Sequence, residues 1–279
     1  MNKKKLIKKL RKNKKITKQT GYIERMKNYY DIFQSFTDIK LLINNILEAD
    51  RLLQLNQLPQ DLPELILPDD IQDEIFNSIN NKYPIGDPEG DKLWNKYVDN
   101  LPKLDEDLRS FRDYLEDKYG MWAYISAPFV NEIAKNLHGK VLEVMAGNGY
   151  ISKNLREAGI DVICTDSLSW QKENETGKHL VTDVEKLDAN AAFDKYHHDI
   201  KYIIMCWSPD GLDIDWQLLH RIRESKENIE LIVIGEKDGA TNSKKFWQNA
   251  KFVNKEVANK INQHHKSFDL INDKLYFVK

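Results

Sequence analysis

Apolar residues between Ile23 and Leu55 recur at three- and four-residue intervals, through Tyr29, Phe33, Phe36, Ile39, Ile43 and Ile46. That spacing predicts amphipathic helix. Thr37-Asp38, two good capping residues, predict that a second helix begins there. Pro59, Pro63 and Pro68 break the pattern over Leu58–Pro68, and Asp69-Asp70 predict a cap for a helix over Ile71–Asn80. Lys82–Gly90 holds Pro84, Gly86, Pro88 and Gly90 and reads as a connector. Leu93–Lys118 is helical in pattern again, with Pro102 expected to split it in two. Up to about Lys118 the pattern contains no strand.

Beyond Tyr119 the period changes. A helix over Ala127–Leu137 leads into the apolar run that starts at Val141, and a helical pattern follows through Tyr150, Leu155 and Ala158. Strands are then expected at Asp161–Thr165, His179–Thr182, Lys201–Cys206 and Ile229–Ile234. The last is almost wholly apolar, as a central parallel strand should be. Lys266–Ile271 and Lys274–Lys279 flank Asn272-Asp273, which reads as a closing hairpin. Strands alternating with helices predict an α/β, Rossmann-like sheet of five parallel strands plus a terminal antiparallel hairpin. The expected domains are a tail over 1–18, a helical region over 19–117 and a ligand-binding domain over 118–279.

Chemistry enters at Val141–Ser152, VLEVMAGNGYIS. A strand, a glycine turn and a helix start form the first β-α unit of a nucleotide-binding domain. Gly147 and Gly149 permit close backbone approach and positive φ. A dinucleotide fingerprint would carry a third glycine where Ser152 stands. Asp166 follows Gly149 by 17 residues, at the end of the second strand. A carboxylate there accepts from both ribose hydroxyls. Asp183 ends the expected third strand, with a helix cap for Val184–Leu187 as the other reading.

Glu143, Gly147 and Gly149 resemble motif I of class I S-adenosylmethionine-dependent methyltransferases, E/D-x-G-x-G-x-G. Met145 replaces the first glycine, and its side chain narrows the pocket. The antiparallel final strand is also a feature of that family's sheet. The resemblance implies S-adenosyl-L-methionine as cofactor, bound by Glu143, Ala146, Gly147, Gly149, Asp166, Asp183, Cys206 and Tyr119. Tyr119 and Trp122 precede the first strand, where the family lines the methionine end of the cofactor; aromatic core is the alternative.

Trp207-Ser208-Pro209-Asp210-Gly211 follows the fourth strand. Its Ser-Pro half resembles the D/N/S-P-P-Y/F loop of amino-directed methyltransferases, and its Asp-Gly half departs from it. Ser208 is expected to orient an acceptor and Asp210 to take its proton, with Glu236 on the substrate side. The same S-P-D-G is also strong turn chemistry. Thr241–Ser243 are either substrate-side or caps for the helix around Phe246. Residues 119–279 as a set are similar to one poorly characterised group of methyltransferase-like proteins. Its features stand here as Tyr119–Ala123, Glu143–Tyr150, Cys206–Pro209, Gly235-Glu236 with Thr241 and Phe246, and Asp273–Val278. That likeness implies the cofactor and names no substrate.

Charge adds one feature. Residues 1–18 hold ten Lys or Arg and no acid, so a chain of net charge −2 leaves −12 on the remainder. Such a tail suits nucleic acid or an anionic membrane surface. A solvated end, or one docked on the acidic body, is the favoured reading, so a nucleic-acid partner is not. With 41% hydrophobic and 31% charged residues, the chain reads as a soluble protein with a sizeable core. No apolar run nears the ~20 residues of a membrane span. The N-terminus lacks the apolar stretch of a secretory signal. The two cysteines, Cys164 and Cys206, sit in apolar runs, as buried thiols of a cytoplasmic protein do. His197-His198 and His264-His265 are neighbours that point apart, so no metal site is expected. The functional expectation is a methyltransferase, N-directed, with its acceptor and oligomeric state unknown. A non-catalytic interaction protein on the same fold and a nucleotide-dependent oxidoreductase are the alternatives.

Overall fold

The computed structural model describes residues 21–279, so the basic tail expected over 1–18 lies outside the described residues. The described chain divides into two units, residues 21–51 with Leu65–Phe111, and Leu52–Glu64 with Arg112–Lys279.

The first unit is built on α1 (Tyr22–Ile32), α2 (Thr37–Gln54), α3 (Ile71–Asn80) and α4 (Pro88–Arg109). The apolar stripes face inward: Phe33, Phe36, Ile39, Ile43, Ile46 and Leu104 are buried. The Tyr97 ring stacks on Phe33 at 5.5 Å and meets Phe36 edge-on at 5.2 Å. Asp107 accepts two hydrogen bonds from Arg25, at 2.6 and 2.8 Å, and one from the Tyr29 hydroxyl at 3.0 Å. Two boundaries differ from expectation. α4 begins earlier because the Asp87 side chain accepts from the Glu89 and Gly90 N–H groups, with Pro88 at the first helical position. It then runs through Pro102 and stops at Ser110. Loss of one N–H there is outweighed by burial of Leu101 and Leu104 on either side. α5 (Phe111–Tyr119) follows.

In the second unit the proline-interrupted segment is held by backbone and side-chain bonds. The Pro59 carbonyl accepts from Ala127 N–H at 2.7 Å, and the Gln60 carbonyl from the Tyr124 hydroxyl at 2.5 Å. The Ser126 hydroxyl donates to Asp61 at 2.6 Å and also caps α6 (Ala127–Lys135). The sheet comprises β1 (Val141–Val144), β2 (Val162–Asp166), β3 (Glu185–Lys186), β4 (Tyr202–Cys206), β5 (Glu230–Gly235), β6 (Phe252–Val253) and β7 (Lys274–Val278). Its order is β3-β2-β1-β4-β5-β7-β6. The first five in that order pair in parallel, and β7 is antiparallel to both β5 and β6.

The period of two sorts the strand side chains between faces. Leu142, Val144, Ile203, Met205, Leu231 and Val233 pack into one core. That core is covered by α8 (Ala189–Tyr196), α9 (Ile214–Glu224) and α10 (Lys244–Asn249). Val141, Glu143, Ile204 and Cys206 take the alternate positions. α7 (Tyr150–Glu157) packs against α6, and α11 (Lys255–Asn262) against β7 and α6. Two strand assignments are corrected. β3 is a two-residue edge strand at Glu185–Lys186, and His179–Thr182 is not a strand. Residues 266–271 form no strand either; β7 pairs with β5 and β6, and Asp273 is buried instead of sitting at a hairpin tip. No helix among the described residues is long and apolar enough to cross a membrane.

Candidate active site

The strand order reverses direction between β1 and β4, and ligands of such sheets bind outside the carboxyl ends at that point. The turn after β1 takes positive φ at Met145 (57°), Gly147 (56°) and Gly149 (83°). The position of the missing first glycine therefore does demand left-handed backbone, and Met145 adopts it at a cost of about 1 to 2 kcal/mol. Gly149 opens α7, and a Cβ there would lie 2.8 Å from Thr182 Cγ2. Asp166 reaches across from β2. Its Oδ2 accepts from Gly147 N–H at 2.9 Å and its Oδ1 from Leu168 N–H at 2.6 Å. Burial pushes its carboxyl pKa up, against the pull of those two N–H groups.

Glu143 lies in β1, almost fully buried. Burial pushes its pKa up to about 7, although the Ser152 hydroxyl and, at 3.6 Å, the Cys206 thiol donate to it. Ser152, where a dinucleotide fold would place a third glycine, thus serves the carboxylate. The Cys206 thiol is itself pushed up by burial and by the neighbouring Glu143, which holds it in the thiol form.

A cavity of about 510 Å³ opens above these groups. Asn148 lines it, buried, with Nδ2 donating to the Tyr119 carbonyl at 2.7 Å. That bond fixes the amide orientation and leaves Oδ1 as a buried acceptor with no partner. Ser208, fully buried on the far wall, also has a hydroxyl without a partner. Trp207 precedes it with φ 43°. Its N–H bonds the Ile234 carbonyl at 2.8 Å, and its Nε1 donates to Asp273 Oδ2 at 2.7 Å. Burial alone would raise the Asp273 pKa, but His265, Arg112 and Trp207 together hold it below the usual range. Trp122 forms another wall. Arg112 donates to its carbonyl at 2.9 Å, lies 5.3 Å from its ring centre, and is itself paired with Asp269.

Of the residues singled out from sequence, Glu143, Ala146, Gly147, Asp166, Cys206, Ser208 and Asp210 meet at this cavity. Gly149 shapes the turn from behind. Tyr119 contributes its carbonyl to Asn148 and Tyr150 while its ring lies edge-on to Tyr114. Asp183 is exposed and outside the cavity, with Arg156 donating to its carbonyl at 3.2 Å. Because β3 starts later than expected, the acid that reaches the cavity is Asp188, whose Oδ1 also caps α8 through Asn190 and Ala191. Glu236 is not among the residues that line the cavity. Its carboxylate accepts from Ala240 N–H at 2.7 Å and Asn272 N–H at 2.9 Å and closes its own loop. Thr241 Oγ1 accepts from Glu236 N–H, and Ser243 caps α10. Asp210 is exposed and accepts from Gly211 N–H at 2.8 Å. Sequence reasoning passed over Asn148, Asp188, Arg112 and Asp273. Asn148, inside the glycine turn, carried a readable signal; the others gain meaning only through partners distant in sequence.

Among the described residues, no three His, Cys, Asp or Glu side chains converge as metal ligands. No protein-family model matches the chain, and no curated protein matches it. Solved structures similar to it include TehB from Haemophilus influenzae, at 17% identity over 60% of this chain and 64% of that one, with a TM-score of 0.28. The match thus spans less than two thirds of TehB. Human N-acetylserotonin methyltransferase in complex with SAM is 11% identical over 75% of this chain and 66% of that one, with a TM-score of 0.33. MtNAS, as a mutant, is 12% identical over 85% of this chain and 97% of that one, with a TM-score of 0.34. The fold itself is read from the sheet, where five parallel strands beside an antiparallel β7 make a Rossmann-like α/β arrangement.

Proposed function

We propose that the protein binds S-adenosyl-L-methionine in this cavity and methylates a nitrogen on an acceptor. The carrying observation is Asp166, whose carboxylate accepts from the Gly147 and Leu168 N–H groups and lines the cavity together with Gly147 and Asn148. The residues fit the cofactor. Each Asp166 oxygen uses one lone pair on a backbone N–H and keeps another for a ribose hydroxyl. Gly147 admits close approach, since a Cβ there would already meet Thr176 Cγ2 at 3.1 Å. Buried carboxyl groups suit a ligand carrying a sulfonium and an ammonium.

When bound, the cofactor supplies a methyl group activated by its sulfonium. The protein's part is placement, because in-line transfer depends on geometry more than on acid–base strength. Ser208, on the cavity wall, orients the acceptor. Asp210, exposed at the rim, passes the acceptor's proton to solvent. Trp207 and Trp122 wall the acceptor and exclude water. The buried, unpaired thiols Cys164 and Cys206 suit a reducing compartment, and we place the protein in the cytoplasm. A non-catalytic role for the same fold is favoured by one observation, the commitment of Glu236 to loop closure.

Equilibrium dialysis with methyl-labelled S-adenosyl-L-methionine tests the reading. Wild-type protein should retain label. Asp166→Asn, which keeps one acceptor and loses the charge, should retain it about ten- to a hundredfold more weakly. Equal retention by both proteins removes Asp166 from the site, and no retention by either overturns the proposal.

A further inference from the structure

Four side chains form a cluster outside the cavity: Arg112 on α5, and His265, Asp269 and Asp273 from the segment between α11 and β7. Arg112, His265 and Asp273 are buried, and Asp269 is partly so. None of the four lines the cavity, yet two tryptophans that do are tied to them. Arg112 pairs with Asp269 at 2.5 Å and donates to the Trp122 carbonyl at 2.9 Å. Asp273 Oδ2 accepts from Trp207 Nε1 at 2.7 Å, and His265 Nε2 lies 3.6 Å from the same oxygen. The His265 ring is stacked on Phe129 at 4.2 Å.

Trp207 needs such support. Its φ of 43° lies in the left-handed region, which a residue with a Cβ keeps only where its surroundings fix it. Two bonds do so. The Trp207 backbone N–H donates to the Ile234 carbonyl at 2.8 Å and sets the chain. The indole N–H donates to Asp273 and sets the ring, because an indole has one polar atom and a charged acceptor binds it strongly. Against the rise that burial alone would bring, His265, Arg112 and Trp207 keep the Asp273 pKa below the usual range, so it meets the indole ionised. Trp207 in turn stands between Cys206 and Ser208, and both line the cavity.

Building on the cofactor reading above, we infer that Asp273 is a positioning residue: it stands outside the cavity, and through the Trp207 ring it sets how tightly the carboxyl end of β4 holds a ligand. His265 and Arg112 support it from behind.

The test is a double-mutant cycle in the full-length protein, read by calorimetric titration with S-adenosylhomocysteine. Asp273→Asn keeps an oxygen acceptor and loses the charge, while Trp207→Phe keeps a ring and loses the N–H. Each alone should weaken binding about tenfold. The two together should weaken it no further, because Asp273 acts through the indole. Without ligand, acrylamide quenching of tryptophan fluorescence should rise in Asp273→Asn, and that rise should be absent on the Trp207→Phe background. If Asp273→Asn does not fold, Asp273→Glu, which keeps the charge and shifts the acceptor, takes its place in the same cycle. Additive losses, an affinity unchanged by the Asp273 substitution, or unchanged quenching overturns the inference. Failure of the wild-type protein to bind S-adenosylhomocysteine counts instead against the cofactor reading, and the quenching comparison then decides whether Asp273 holds the ring.

Discussion

Glu143→Gln probes the carboxyl group held beneath the cavity. In the folded protein burial moves its pKa from the ordinary 4.5 to about 7. At 1.36 kcal/mol per tenfold change in proton affinity, that gap amounts to about 3 kcal/mol. The sign follows from linkage. The folded state holds this proton more tightly than the unfolded state. The stability tied to it is complete below about pH 4.5, falls through the window up to about 7, and is gone above that. Gln keeps an acceptor for the Ser152 hydroxyl but has no charge to bury. The variant should therefore gain on wild type as pH rises, by about 3 kcal/mol between pH 4.5 and 8. Other buried carboxyls, Asp166 and Asp215 among them, also have raised pKa values and bend both profiles alike. The difference between the two proteins isolates Glu143. Urea unfolding at a series of pH values, with matched m-values, gives that difference directly. A stability difference that does not change with pH refutes the reasoning, because it would mean that Glu143 stays ionised when folded.

Three further outcomes are expected. Asp166→Ala should lose cofactor binding and also cost about 1 to 3 kcal/mol of stability, because the Gly147 and Leu168 N–H groups lose their acceptor; calorimetry and urea unfolding read the two effects separately. Asp107→Ala should destabilise the helical unit by about 3 to 5 kcal/mol in thermal or urea unfolding, since Arg25 and Tyr29 lose a largely buried partner. Asp273→Ala should free the Trp207 indole and change tryptophan fluorescence; an unchanged spectrum would show that the 2.7 Å bond does not fix the ring.

Much of this architecture could be read in the chain because two signals are local. The three- and four-residue recurrence from Tyr29 to Ile46 became α1 and α2, with the break where Thr37 stood. Apolar runs bounded by turn residues became β1, β2, β4 and β5, and the acid after the second run came to rest against the glycine turn. What failed lacked a local signal or carried a misleading one. β3 and β6 are two residues each, too short for any period to show. Pro102 looks like a break, yet buried neighbours carry the helix through it. Asn272-Asp273 has hairpin chemistry, but Asp273 is drawn inward by Trp207 and by His265 at 3.6 Å. Glu236 looked available for a substrate because its partners Ala240 and Asn272 are backbone groups, invisible as side-chain types. Arg112, which donates to the Trp122 carbonyl, is itself held by Asp269, 157 positions away in sequence.

The central claim is that the cavity between the glycine turn and Trp207 is an S-adenosylmethionine site. Isothermal titration of the full-length protein with S-adenosylhomocysteine, and with NAD as the control, tests it most directly. Saturable binding of S-adenosylhomocysteine at a dissociation constant of about 1 to 100 micromolar, with none for NAD, is the predicted result. Binding of NAD alone, or of neither, contradicts it.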